Sequence, residues 1–143
     1  MEWKKSEAGN TLQEIVNHNS GGKIKEFLRP QYNYYVPNMR TFAGWLLAYR
    51  DRKTPVTVFG DYDVDGICAS AEMYLLLMAL GFSHIRVRLP RRLSEGYGMS
   101  EKFVDEVDGG VVITVDNGVK AMGAIRKAKA KGLVVMVMDH HQP

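Results

Sequence analysis

The 143-residue sequence holds a single cysteine, Cys68, only five prolines, and no long apolar run. A lone cysteine excludes an internal disulfide framework and fits a reducing compartment. The opening MEWKKSEAGNTLQEIV lacks the apolar core of a signal peptide, and nothing after it approaches the ~20 apolar residues that span a bilayer. Repeats and low-complexity segments are missing too, which excludes a solenoid or a linker-like chain. A large charge of one sign is also absent. The net charge of +3 permits a polyanionic partner without demanding one. These absences lead to the expectation of a soluble cytoplasmic protein with no membrane partner. What is present is ordinary for a globular domain: 45% apolar and 24% charged residues, in a length that allows a real core.

Residues 1–54 read as a mixed lead-in. TLQEIVNHN has a short helical pattern broken by Ser20-Gly21-Gly22, and Phe27-Leu28 precede Pro30. Tyr32, Tyr34 and Tyr35 form an aromatic cluster of a kind that packs more often than it stacks on nucleobases. NMRTFAGWLLAYRDR spaces Met39, Phe42, Trp45, Leu46 and Tyr49 as one face of an amphipathic helix. From Thr54 the rhythm changes. VTVF, HIRVRL, VVITV and LVVMVM read as strands, with Val87 and Leu89 on one face of the second. Between them lie helical stretches: one closed by Gly81, SEKFVDEV with Ser100 as N-cap, and one ending at Gly132. The third and fourth strands are apolar without alternation, as in a sheet covered on both faces. The expected fold is α/β over 55–143: a doubly wound, mainly parallel sheet with helices on both faces, preceded by the helical lead-in.

Each chemically interesting cluster follows a strand. Asp61, Asp63 and Asp65 follow the first, Asp116 the third, and Asp139, His140 and His141 the fourth. In a doubly wound sheet these carboxyl ends line one crevice, so residues more than seventy positions apart meet there by topology. Taken singly, DYDVD is an ordinary turn or helix cap, DNG a common turn and DHH a surface loop. Three such clusters at one rim are a different matter. Crowded carboxylates and imidazoles repel unless cations neutralise them, and oxygen-rich ligation without thiolates suits Mn²⁺ or Mg²⁺. The ligand groups exceed what one ion needs. A pair of ions roughly 3.5–4 Å apart is the usual arrangement for displacement at phosphorus, with Asp116 the natural bridge. Gly60, Gly66 and Gly118 flank the acids and permit close backbone approach. His18 and His84 read as ordinary surface residues, and Cys68 as buried filler within the first helix of the alternating part.

GDYDVDG, RLSEGYG, VDNG and DHH, in this order, resemble the motifs of the DHH phosphoesterase superfamily. Within it the resemblance is to the RecJ-like exonucleases, which digest single-stranded DNA 5′→3′, and it spans roughly Lys23 to Pro143. It implies that Asp63 and Asp65 bind metal, with Asp61 a direct or outer partner. Asp116 would bridge two ions (Mn²⁺ or Mg²⁺) and His140 would be a ligand. His141 would touch metal or the scissile phosphate, oriented with His140 by Asp139. Arg92, Gly96, Tyr97 and Gly98 would shape the nucleotide pocket. The resemblance also implies a further metal-binding aspartate and a second, substrate-clamping domain downstream of DHH. The chain is therefore expected to be the N-terminal part of such a protein, inactive or weakly active alone, with its C-terminal portion or a complementing chain as a partner besides single-stranded DNA. Two rival readings are a phosphodiesterase for oligonucleotides, cyclic dinucleotides or pyrophosphate, and a scaffold that has lost catalysis. The intact acids and histidines speak against the scaffold.

Overall fold

The computed structural model describes residues 11–19, 21–22 and 36–142. The FLRP stretch and the cluster of Tyr32, Tyr34 and Tyr35 lie outside the described residues. Helix α1 (Leu12–Asn19) starts with a reciprocal cap: the Thr11 N–H donates to Glu14 Oε2 at 3.0 Å and the Glu14 N–H to Thr11 Oγ1 at 3.2 Å. The residues from Asn38 onward form a compact unit of their own.

That unit contains α2 (Met39–Asp51), β1 (Val56–Phe59), α3 (Val64–Ala79), β2 (Ile85–Arg88), α4 (Arg92–Glu95), α5 (Glu101–Asp105), β3 (Val111–Val115), α6 (Met122–Ala130) and β4 (Val134–Met138). All strand pairings are parallel, in the order β2-β1-β3-β4. Alternation along the strands divides the core in two. Val56 and Val58 of β1 join Val111, Ile113 and Val115 of β3 beneath Leu46 of α2 and Met73 and Leu77 of α3. Phe59 and Val112 point the other way, onto Phe103 and Val104 of α5 and Ala124 and Ala128 of α6. Phe59 and Phe103 meet with ring centroids 4.2 Å apart. The central strands β1 and β3 are buried along their whole length, which their unalternating Val, Ile and Phe content requires. The sheet is therefore doubly wound, as its sequence rhythm indicates. β1 leads outward to β2 in one direction and β3 to β4 in the other, so a crevice opens between the carboxyl ends of β1 and β3.

Local readings are corrected in three places. Cys68 is exposed, not buried. The face that α3 turns to the sheet is Gly66, Ser70, Met73 and Leu77, and Cys68 lies across the helix from it. Apolar residues continue around this helix, leaving Ile67, Leu75 and Met78 exposed. On α2, Leu46 is buried and Phe42 and Tyr49 pack against the core, while Met39 and Trp45 stay exposed. On the edge strand β2, Val87 is exposed and Leu89 falls beyond the strand end. Residues 92–95 form a short helix, α4, ahead of Gly96.

Candidate metal centre

β1 ends at Phe59, and the chain turns at Gly60 and Asp61 straight into α3. Asp63 is the N-cap of that helix, its Oδ1 accepting from the Gly66 N–H at 3.0 Å. The turn is tight. A Cβ on Gly66 would lie 2.6 Å from Asp61 N and 2.7 Å from Asp61 Cα, so only glycine lets the helix start against Asp61. Asp61 itself is completely buried, and neither carboxylate oxygen has a hydrogen-bond partner among the described residues. A buried carboxylate in that condition is costly unless a cation joins it. Asp63 and Asp65 are exposed at the mouth of the same turn.

Asp116 follows β3 with φ 60°, a left-handed conformation that aspartate tolerates better than most side chains. Its N–H donates to the Met138 carbonyl at 2.9 Å, which carries the β3–β4 pairing to the brink of the DHH sequence. His140 Nε2 then lies 3.0 Å from Asp116 Oδ1. Donor atoms of Asp116, His140 and His141 all fall within 4.8 Å of one another. Asp139 points back into the protein. Its Oδ2 accepts from the Val119 N–H at 2.9 Å, and its Oδ1 meets His141 Nδ1 at 2.7 Å and the His141 N–H at 3.1 Å. One carboxylate thus ties the end of β4 to the turn after β3 and fixes one imidazole ring.

The electrostatics report the same crowding. Burial, then the charge of Asp63, raise the Asp116 carboxyl above its ordinary range, with Asp65 adding to them and both histidines opposing. Burial, then the charges of Asp139, Asp61, Asp116 and Asp63, push the Tyr97 phenol up to about 12. Five acids from three strand ends therefore act on one small volume. The Asp139 bond raises the His141 imidazole, and Asp139 is lowered because hydrogen bonds from Val119 and His141 outweigh its burial.

Of the residues singled out from sequence, Asp116, His140 and His141 form the tight group. Asp61, Asp63 and Asp65 share the crevice but are not part of that group. Tyr97 sits at its wall, with the hydroxyl 3.1 Å from the Asp116 carbonyl and 3.2 Å from His141 Nδ1. Arg92 lies over the Tyr62 ring at 5.3 Å, and Tyr62 meets Tyr97 edge-on at 6.4 Å. Gly96 and Gly98 both have positive φ, 74° and 72°, and flank Tyr97. Sequence reasoning passed over Asn117. It is fully buried, and its Nδ2 donates to the Phe59 carbonyl at 3.2 Å and the Val115 carbonyl at 2.9 Å, stitching the ends of β1 and β3 together. The only signal was its place between an acid and a glycine at a strand end.

Comparison with known proteins decides the family. The profile of the DHH family, N-terminal domain, matches residues 55–143. The chain belongs to the DHH family. It is similar to the single-stranded-DNA-specific exonuclease RecJ of Escherichia coli, 37% identical over 93 residues that make up 63% of this chain and 16% of that protein. The RecJ of Haemophilus influenzae is 31% identical over 140 residues, 96% of this chain and 22% of the relative. A crystal structure of exonuclease RecJ bound to manganese superposes with a TM-score of 0.71 at 32% identity, over 80% of this chain and 30% of that one. RecJ from Thermus thermophilus in complex with Mn²⁺ gives 0.64 at 26% identity, over 92% of this chain and 19% of that one. The DHH chain thus spans a fifth or so of the length of these curated relatives. No helix among its described residues is long and apolar enough to cross a membrane.

Proposed function

We propose that this chain carries the metal-binding half of a RecJ-like active site that hydrolyses phosphodiesters in single-stranded DNA, 5′→3′. The observation that carries the reading is Asp61: a carboxylate with both oxygens buried and unpartnered among the described residues, in the crevice where Asp116, His140 and His141 gather. The donor set is oxygen-rich with imidazole nitrogen and no thiolate, which suits Mn²⁺ or Mg²⁺. Asp61, Asp63, Asp65, Asp116, His140 and His141 would hold two such ions, with Asp116 shared between them. Bound there, the ions supply Lewis-acid activation of water and charge neutralisation at the scissile phosphate.

The chain's own residues do the rest. Asp139 holds the His141 ring by its Nδ1, leaving Nε2 for the crevice. Asn117 fixes the spacing of the two strand ends that deliver Asp61 and Asp116. Arg92 presents a guanidinium at the rim, suited to a phosphate, and Tyr97 with the Gly96 and Gly98 backbone closes the wall around a terminal nucleotide. In this reading residues 1–54 are a lead-in, and 55–143 are the N-terminal portion of a DHH phosphoesterase domain.

Calorimetric titration of the chain with Mn²⁺ is the test, run beside Asp116→Asn and His140→Ala. Binding that both substitutions abolish is expected; no binding by the parent chain would overturn the assignment. Hydrolysis of 5′-phosphorylated single strands, duplexes and dinucleotides then ranks substrates. Preference for dinucleotides would replace the exonuclease reading with a small-substrate one.

A further inference from the structure

Arg88, the last residue of β2, turns its side chain inward rather than to solvent. The side chain is 18% exposed and is engaged by four acceptors. Nη2 meets Glu95 Oε1 at 2.6 Å, Nε and Nη2 each meet the Glu106 carboxylate at 3.2 Å, and Nη1 donates to the Leu89 carbonyl. Glu95 is equally committed. Its second oxygen accepts from the Arg91 N–H at 2.6 Å, and its side chain is 14% exposed. One carboxylate therefore closes the turn of α4 on itself and bolts it to the sheet. Isolated surface pairs contribute little, but a shielded, forked network of this kind has the geometry that holds a fixed position.

What it holds is informative. A four-residue helix has no stability of its own. After Glu95 come Gly96, Tyr97 and Gly98, and both glycines have positive φ, so this stretch has little intrinsic stiffness. Besides the edge-on Tyr62 ring, two anchors along the chain hold Tyr97 where it lies. After it, Met99 is buried and the Ser100 Oγ caps α5 by accepting from the Phe103 N–H. Before it, Glu95 is the side chain that pins the loop to β2. Between these anchors the Tyr97 hydroxyl reaches the Asp116 carbonyl, and its ring meets the His141 ring at 5.8 Å.

We infer that Arg88 and Glu95 are positioning residues: their ion pair sets Tyr97 against Asp116 and His141, and so fixes where the terminal nucleotide meets the metal ligands. The last clause rests on the single-stranded-DNA reading above; the clamp itself does not.

The two are separable by experiment. In the isotopically labelled 143-residue chain, nuclear Overhauser contacts between the Tyr97 and His141 rings report the clamp without metal, substrate or turnover. Glu95→Ala is expected to erase them while the amide shifts of β3 stay in place. Arg88→Met should do the same and serves if Glu95→Ala fails to fold; Arg88→Lys, which keeps one charged bond, should retain them. Ring contacts that persist in both Glu95→Ala and Arg88→Met overturn the inference. Mn²⁺ affinity should change less than about twofold in Glu95→Ala, because no proposed ligand is altered, while Kd for a 5′-phosphorylated single strand rises about tenfold from the misplaced wall. A parent chain that neither binds Mn²⁺ nor engages the strand would remove the functional reading and leave the ring contacts to judge the clamp.

Discussion

Replacing Asp61 by asparagine should stabilise the metal-free protein, although it removes a residue proposed for the active site. The side chain is fully buried, and both its oxygens lack a hydrogen-bond partner among the described residues. Asparagine keeps the volume and removes the charge. An unsatisfied buried group costs about 1–3 kcal/mol when neutral and more when charged, so the substitution should return about 2 kcal/mol. For a unit of this size that corresponds to a Tm higher by about 6–10 °C. With Mn²⁺ the order should invert. A ligand at a hundred times its Kd adds about 2.7 kcal/mol to the parent, whereas Asp61→Asn should gain little. Thermal melts of both proteins, with chelator and with Mn²⁺, give the four numbers required. If Asp61→Asn melts below the parent in chelator, Asp61 has a stabilising partner in the native protein and the reasoning from its isolation is wrong.

Three further outcomes are expected. Gly66→Ala adds a Cβ only 2.6 Å from Asp61 N, and the overpacking cost of about 1–3 kcal/mol should exceed the ~0.5–1 kcal/mol gained in helix propensity; a raised Tm, or undiminished Mn²⁺ binding, would contradict that. Hydrogen bonding to Arg88 pulls Glu95 down to about 2, so its contribution to stability is complete above the ordinary carboxylate value near 4.5 and is lost as pH falls through about 2. Urea midpoints between pH 6 and 2 should therefore fall less steeply in Glu95→Gln than in the parent. The Asp139 bond raises the His141 imidazole, so its stabilisation is full below the unfolded value near 6.5 and disappears as pH climbs through the raised one. Because metal must displace that proton, Mn²⁺ affinity should rise over the same window, and His141→Asn should flatten the profile measured by calorimetry.

Strands β1, β3 and β4 were legible because each is a run of β-branched or apolar residues closed by a glycine or an acid. β1 and β3 fall on VTVF and VVITV without adjustment. The rim was legible for a topological reason: once the sheet is parallel, every strand's carboxyl end lies on the same side. Faces within helices were harder to read. α3 is apolar on nearly every side, so its periodicity does not show that the small residues Gly66 and Ser70, rather than Cys68, face the sheet. Nor could α4 be read locally, since contacts with Arg88 hold it. The three aspartates of DYDVD look alike in the sequence. They differ in the fold: Asp61 is sealed beneath the turn, Asp63 caps the helix, and Asp65 stands in the first helical turn at the surface.

That division of labour explains how a crevice this acidic survives folding. Asp63 and Asp139 spend oxygens on backbone N–H groups, and the imidazoles of His140 and His141 contact Asp116 and Asp139. Three of the five carboxylates, Asp63, Asp116 and Asp139, thus have partners supplied by the chain itself. Asn117 then forbids the remaining escape, a parting of β1 from β3, by bonding to the final carbonyl of each. With the seam locked, the unmet demand for positive charge is concentrated on Asp61, whose oxygens have no partner among the described residues, beside Asp116, whose backbone is turned left-handed at the seam. In the proposed reading a divalent cation would meet that demand, so the arrangement reads as a prepared site rather than as a cluster of solvated surface acids.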